Sequence, residues 1–226
     1  VEKRLERVKR NAKTGNKEAQ AEFDVLSRIQ ETLLEGKSVR TLEFTEKEIE
    51  FVTPMQFITS KPLMYVCNVD EAAAVNGNDY IERVKEAVKD ENAEIVVLAV
   101  GTEADINELD DYEERQLFLE DIGLDEPGSA KLIRSAYKLL NLQTYFTVGV
   151  KEVRAWTINI GDSAPQAAGV IHTDFEKGFI RAEVIKYNDY IELGSEVKVK
   201  ESGKLGVEGK EYIVEDGDIM NFRFNV

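Results

Sequence analysis

The stretch Lys61-Pro62-Leu63-Met64-Tyr65-Val66-Cys67-Asn68-Val69-Asp70-Glu71 decides the fold of this chain. Its apolar run predicts a buried strand, Leu63–Cys67, which ends abruptly in an Asn-x-x-Glu pattern. A second apolar run, Glu94–Val100, follows an amphipathic helix predicted over Tyr80–Lys89. Strand, crossover helix and strand form a βαβ unit, which requires parallel pairing and a right-handed crossover. Ligands bind at the carboxyl edge of such sheets, so the Asn-x-x-Glu pattern lies where a ligand is expected.

Strands this apolar are normally covered on both faces. Two strands cannot achieve that alone, so we expect further strands upstream of Val1, and we interpret the chain as part of a longer protein. The turn Asn76-Gly77-Asn78-Asp79 is expected to supply the N-cap of the crossover helix. Ahead of the first strand, Thr45 and Glu48 have capping-box spacing and predict a short helix over Glu46–Phe51.

Composition limits the possible function classes. The chain has 226 residues and a net charge of −15, which argues against general affinity for nucleic acid. It has one cysteine, Cys67, so a disulfide framework is impossible and a reducing cytoplasm is the expected compartment. We find neither a signal peptide nor an 18-residue apolar run, and we expect no membrane partner.

The N-terminal segment departs from this acidic average. Val1–Lys13 contains six Lys or Arg residues and two acids. It predicts a helix, followed by the turn Thr14-Gly15-Asn16 and a second helix over Lys17–Glu35. The narrow apolar seams and short connection indicate an antiparallel coiled-coil hairpin as a projecting arm; the alternative is a plain helix pair packed on a globular body.

The C-terminal part has a different pattern. After the acidic helix Asp110–Ile122 and a helix capped by Ser129 and running to Leu140, short strands and turns dominate. One short helix, Ala164–Gly169, interrupts them. These elements predict a small α+β roll such as a β-grasp domain. The predicted strands are Thr144–Val148 and Glu152–Asn159, which form a hairpin around Gly149, then Gly178–Ile185, Glu211–Val214 and Met220–Asn225.

The strand end at Asn68 can recognise a purine base. An Asn amide donates to adenine N7 and accepts from the adenine N6 amine, whereas guanine has acceptors at both O6 and N7. Glu71 is a methylene longer than the Asp usual in GTPases and should misplace the guanine contact. Backbone N–H groups in the loop Ala99-Val100-Gly101-Thr102 could close over the base. The alternatives are a polar strand end with a helix cap, and an ordinary strand-to-helix loop.

Other potential chemistry is less promising. His172 beside Asp174 lacks a nearby nucleophile and reads as a structural histidine rather than a catalytic one. The sequence contains no zinc-type Cys/His cluster and no Gly-x-x-x-x-Gly-Lys-Ser/Thr phosphate loop. We therefore expect no triphosphate cradle and no magnesium ligands within these residues.

Several segments together resemble the YchF/Obg-like ATPase family of Obg-related P-loop translation-factor NTPases, a branch of the GTP-binding proteins. Besides Lys61–Glu71, they are 137–147, 152–158, 164–169, 172–182 and 216–222, which resemble the family's C-terminal TGS domain. The resemblance implies an α+β multidomain protein. Its parts would be a coiled-coil arm (1–44), the C-terminal half of a parallel α/β nucleotide-binding domain (45–142) and a β-grasp, ubiquitin-like TGS domain (143–226).

The resemblance also implies an activity and partners. Family members bind and hydrolyse ATP in preference to GTP and associate with the ribosome. Asn68, Val69, Glu71 and Gly101 would contact the base, and Mg²⁺ would be bound by residues outside this chain, so the chain alone should be inactive. The expected partners are ATP and the large ribosomal subunit with its RNA, but not DNA. The alternative is a non-catalytic RNA- or ribosome-binding module. Candidate RNA contacts are the arm cations Lys3, Arg4, Arg7, Lys9 and Arg10.

Overall fold

The computed structural model describes residues 1–91, 93–149 and 152–225, and its contacts divide the chain into two units, Val1–Ser135 and Ala136–Val226. The first unit contains both the predicted arm, 1–44, and most of the predicted nucleotide-binding segment. Helices accompany a parallel strand pair in the first unit and a mixed sheet in the second, which confirms the α+β class.

Two helices open the first unit. They are α1, Glu2–Ala12, and α2, Lys17–Leu34. Asn16 caps α2 because its side-chain oxygen accepts the N–H groups of Glu18 and Ala19. The seam between the helices is apolar and buried; it contains Leu5, Val8, Ala19 and Leu26.

The second half of α2 has another set of contacts. Val25 and Ile29 pack against Val39 and Val52, which lie on the segment after the helix pair. Val52 ends α3, Glu46–Val52, and the predicted capping box of Thr45 and Glu48 is present at its start. The second half of α2 is therefore packed against the segment that follows the helix pair. Short 3₁₀ turns flank α3 at Val39–Thr41, Thr53–Met55 and Ile58–Ser60.

The rest of the first unit is the βαβ unit and the helices after it. The strands are β1, Met64–Asn68, and β2, Glu94–Leu98, and they pair in parallel in the register Met64↔Glu94 to Asn68↔Leu98. The parallel pairing predicted from the sequence is confirmed. The helices are α4, Glu71–Asn76; α5, Asp79–Val88; α6, Val100–Glu108; α7, Tyr112–Asp121; and α8, Gly128–Leu139, which runs into the second unit.

Burial of the two strands is uneven. Val96 and Leu98 in β2 are buried, but Val66 in the middle of β1 is 47% exposed. The exposure of Val66 agrees with the expectation that two strands alone cannot cover both faces of the pair. Among the described residues β1 pairs only with β2, so its other edge has no neighbouring strand.

The second unit is built on a five-stranded sheet. Its strands are β3, Leu142–Val148; β4, Val153–Asn159; β5, Phe179–Ile185; β6, Gly206–Glu208; and β7, Ile219–Phe224. Their order is β4-β3-β7-β5-β6, with β3 and β7 parallel and the other pairs antiparallel. The helices are α9, Ala164–Ile171; α10, Thr173–Lys177; α11, Tyr187–Leu193; and α12, Glu196–Glu201.

Two predictions for this unit need comment. The predicted strand Glu211–Val214 is wrong, because only Ile213 forms an isolated bridge, to Ser163. The predicted pairing of β3 with β4 is confirmed, and Val150 and Lys151, which follow Gly149 in the sequence, lie outside the described residues.

The core of the second unit lies between the sheet and α9. Tyr145 is fully buried and its hydroxyl donates to the Ala167 carbonyl at 2.8 Å. Beside the core, the carboxylate of Asp218 is 1% exposed and accepts three hydrogen bonds. The donors are Lys186 Nζ at 2.8 Å, the Tyr212 hydroxyl at 2.7 Å and the Glu215 N–H at 2.9 Å. This network joins the loop before β7 to the end of β5.

Candidate functional site: the carboxyl edge of the parallel strands

Asn68 and Leu98 end the two parallel strands at the same edge of the sheet. The Asn68 side chain is exposed there, and its Oδ1 accepts the backbone N–H of Val100 at 3.1 Å. The bond joins the end of β1 to the first residue of α6. Because an amide oxygen has two lone pairs, Oδ1 can still accept a second donor, and the Nδ2 group can still donate.

The three residues after Asn68 make different contacts. The Val69 N–H donates to the Leu98 carbonyl at 3.0 Å and so is not free to contact a base. Asp70 caps α4 by accepting the Ala73 N–H at 2.8 Å. Glu71 is the first residue of α4 and is exposed. The Asn-x-x-Glu pattern therefore combines an exposed amide, a helix cap and an exposed carboxylate, so the helix-cap reading and the ligand reading are compatible.

The expected loop Ala99–Thr102 is helical, which corrects the sequence prediction. α6 begins at Val100, so Gly101 lies in its first turn. Ala99 and Thr102 are buried while Val100 and Gly101 are exposed, and this pattern fixes the turn against the unit. Ala99 provides no side-chain cap. Apart from the bond from Val100 to Asn68, no side chain among the described residues accepts the first N–H groups of α6.

A further residue at this edge was not found from the sequence. Glu103 in α6 accepts the N–H of Gly128 at 2.5 Å and that of Ser129 at 2.9 Å. The prediction that Ser129 caps the helix is wrong, because α8 begins at Gly128 and Glu103 receives its first amides. A cavity of about 40 Å³ lies beside this contact and is lined by residues that include Leu98, Thr102 and Lys131.

The cations of α1 are not equivalent. Arg4 forms an ion pair with Glu22 at 2.6 Å and also contacts the sulfur of Met55, so it is engaged within the unit. The other four candidates are exposed and could meet an anionic surface; they are Lys3, Arg7, Lys9 and Arg10. Arg4 is therefore the weakest of the five predicted RNA contacts.

His172 has a structural position. It is the N-cap of α10, and its Nδ1 accepts the Asp174 N–H at 3.1 Å. Within the described residues, no group of His, Cys, Asp and Glu side chains could hold a metal ion. None of the helices described is long and apolar enough to cross a membrane.

Curated relatives match this chain over its whole length, and a family model matches its C-terminal part. The family model YchF-GTPase_C, described as "Protein of unknown function (DUF933)", matches residues 142–225. The chain is 50% identical to "Ribosome-binding ATPase YchF" of Haemophilus influenzae and 47% identical to that of Bacillus subtilis. All of the chain is matched in both cases, and it spans 61% and 62% of the lengths of these relatives.

A solved structure shows the same similarity. The YchF GTPase of Schizosaccharomyces pombe aligns with a TM-score of 0.83 and 31% identity, over 98% of this chain and 61% of that one. The sequence matches and the structural match thus cover both units. The chain belongs to the YchF family and corresponds to the C-terminal portion of its members.

Proposed function

We propose that this chain is part of a cytoplasmic, ribosome-associated ATPase that binds and hydrolyses ATP in preference to GTP. In this proposal the carboxyl edge of β1 and β2 recognises the adenine base. The observation that carries it is the exposed Asn68 amide, held by the N–H of Val100 at the point where the two strands end. The names of the curated relatives, ribosome-binding ATPases, support the wider role.

The base contacts follow from the donors and acceptors at the edge. Asn68 Nδ2 donates to adenine N7, and Oδ1 accepts from the N6 amine with its remaining lone pair. Guanine presents an acceptor, O6, where Oδ1 needs a donor. Glu71 lines the same edge, Gly101 offers backbone beside the base, and Val69 contributes its carbonyl or side chain because its N–H is engaged.

The sequence has no phosphate loop, so phosphate and Mg²⁺ would be held by residues outside this chain. Chain 1–226 alone should therefore hydrolyse no ATP. The second unit would be the TGS domain, and its strand order with a parallel central pair supports a β-grasp roll.

Nucleotide titration of the full-length protein tests base recognition. Asn68→Ala should weaken ATP binding and reduce the preference for ATP over GTP, by about tenfold for the loss of a bidentate base contact. The matched control is Asn107→Ala, which removes an exposed Asn from α6 away from the strand edge. ATP affinity and ATP/GTP preference that are the same in both variants would show that Asn68 does not read the base.

A second candidate function, a non-catalytic RNA- or ribosome-binding module, is favoured by the exposed cations of α1. Replacing Arg7 and Arg10 by Gln should weaken ribosome co-sedimentation and make it less sensitive to salt, because fewer phosphate counterions are released. The control replaces Lys198 and Lys200 by Gln, two exposed cations of α12. Equal pelleting and equal salt dependence of the two double variants would contradict a role for α1.

A further inference from the structure

Glu103 accepts two backbone N–H groups at the start of α8 that have no acceptor within that helix. The first N–H groups of any α-helix lack intrahelical acceptors, and α8 meets this need with a carboxylate from α6. Each oxygen takes one amide, Gly128 on Oε1 and Ser129 on Oε2. A negative charge at a helix N-terminus is also favoured by the helix dipole. Glu103 therefore fixes α6 and the start of α8 to each other in a defined geometry.

The same junction includes the end of β2. A Cβ atom on Gly128 would lie 2.7 Å from Cβ of Leu98 and 2.9 Å from Oε1 of Glu103. The start of α8 thus approaches β2 and α6 more closely than a larger residue would allow. Leu98 is paired with Asn68 in the register of the strands, so this close contact lies at the edge that carries the candidate site.

The first turn of α6 connects Glu103 to Asn68. Val100 and Glu103 are three residues apart on one helix, and the Glu103 N–H closes this turn on the Ala99 carbonyl at 3.0 Å. At its other end the turn holds the Asn68 amide through the Val100 N–H. A displacement of Glu103 would move this turn, and with it the N–H that orients the amide.

We propose that Glu103 is a positioning residue for base recognition, which acts through the first turn of α6 and Val100 on the orientation of Asn68. The inference rests on the proposed function, in which Asn68 reads adenine. Glu103 itself does not contact the nucleotide. Its anchor on α8 keeps the Asn68 amide aligned for N7 and N6 of the base before ATP arrives.

The test is a double-mutant cycle on the full-length protein with ATP and GTP dissociation constants as the readout. Glu103→Ala should raise the Kd for ATP about tenfold and reduce the ATP/GTP preference. Glu103→Gln, which keeps the length and one acceptor oxygen, should have a smaller effect. Once Asn68 is replaced by Ala, the change at Glu103 should no longer alter the preference, because the two residues act in one chain of contacts. Glu108→Ala, an exposed acid on the same helix, should change nothing.

The possible outcomes separate this inference from the proposed function. If Asn68→Ala lowers the preference but Glu103→Ala and Glu103→Gln leave it unchanged, base recognition stands and the role of Glu103 is refuted. Effects at the two positions that simply add also refute it, because a purely structural contribution would be independent of Asn68. If Asn68→Ala itself leaves the preference unchanged, the proposed function fails and this inference fails with it.

Discussion

Replacing Asp218 by Asn should destabilise the second unit strongly, although the change preserves the shape of the side chain. In the structure Oδ1 of Asp218 faces Lys186 Nζ, and Oδ2 accepts from both the Tyr212 hydroxyl and the Glu215 N–H. All three partners are donors. An Asn side chain has one oxygen, so in either orientation its NH₂ group must face at least one of these donors.

The size of the expected destabilisation depends on how deeply each partner of the Asp218–Lys186 ion pair is buried. Loss of a hydrogen bond to a charged group costs about 1.5–3 kcal/mol, and breaking a fully buried ion pair costs about 3–5 kcal/mol. Asp218 is 1% exposed, but the Lys186 side chain is 43% exposed and keeps Glu215 at 2.9 Å. We therefore expect a loss of roughly 2–3 kcal/mol in the free energy of unfolding, or roughly 10–20 °C in Tm for a unit of this size.

Tryptophan fluorescence provides a specific assay. Trp156 is the only tryptophan of the chain and packs against the core of the second unit, so urea denaturation followed at this residue reports on that unit. The control is Asp216→Asn, because the exposed Asp216 accepts a single N–H, from Thr144, and an Asn oxygen can replace it. Unfolding free energies of the two variants within about 0.5 kcal/mol of each other would refute the reasoning.

Three further predictions follow from single contacts. Gly128→Ala should lower the Tm of the first unit by several degrees in a circular-dichroism melt, because the new Cβ would lie 2.7 Å from Cβ of Leu98. Thr45→Ala should reduce the free energy of unfolding by about 1 kcal/mol in urea denaturation, through loss of the capping box with Glu48. Burial raises the pKa of the Tyr212 phenol to about 12 in the folded chain. Folding therefore favours the protonated phenol, so stability should decline between about pH 10 and pH 12 in wild type, and less in Tyr212→Phe.

Short-range sequence patterns predicted the helix caps and the pairing of the first two strands. The capping box at Thr45 and Glu48 and the N-cap at Asn78 both occur where their spacing indicates. The apolar runs at β1 and β2 and the one helix predicted between them were sufficient to predict parallel pairing, although the structure has two helices there, α4 and α5. In each case the deciding interactions lie within a few residues or follow from the connection length.

The predictions that failed depend on partners distant in the chain. Ser129 reads as an N-cap by composition, but the acceptor for the first amides of α8 is Glu103, 25 or more residues away. Ala99–Thr102 was expected to be a loop after the second strand, yet α6 begins at Val100 and Thr102 is buried in its first turn. No short-range pattern carries this information, because packing across the unit supplies the stabilisation.

The sequence was sufficient to predict which residues form the candidate site, but not which of their atoms are already hydrogen-bonded. The sequence placed Asn68 at a strand end, and only the structure shows that its Oδ1 already accepts one N–H. This bond matters for selectivity in the proposed site. An amide free to rotate could turn its NH₂ group towards either acceptor of guanine and keep one hydrogen bond, whereas one held through Oδ1 presents its NH₂ and its remaining lone pair in fixed directions. Adenine satisfies both, and guanine O6 would face an acceptor. The Val100 N–H would therefore add to the discrimination against guanine that the Asn68 amide provides.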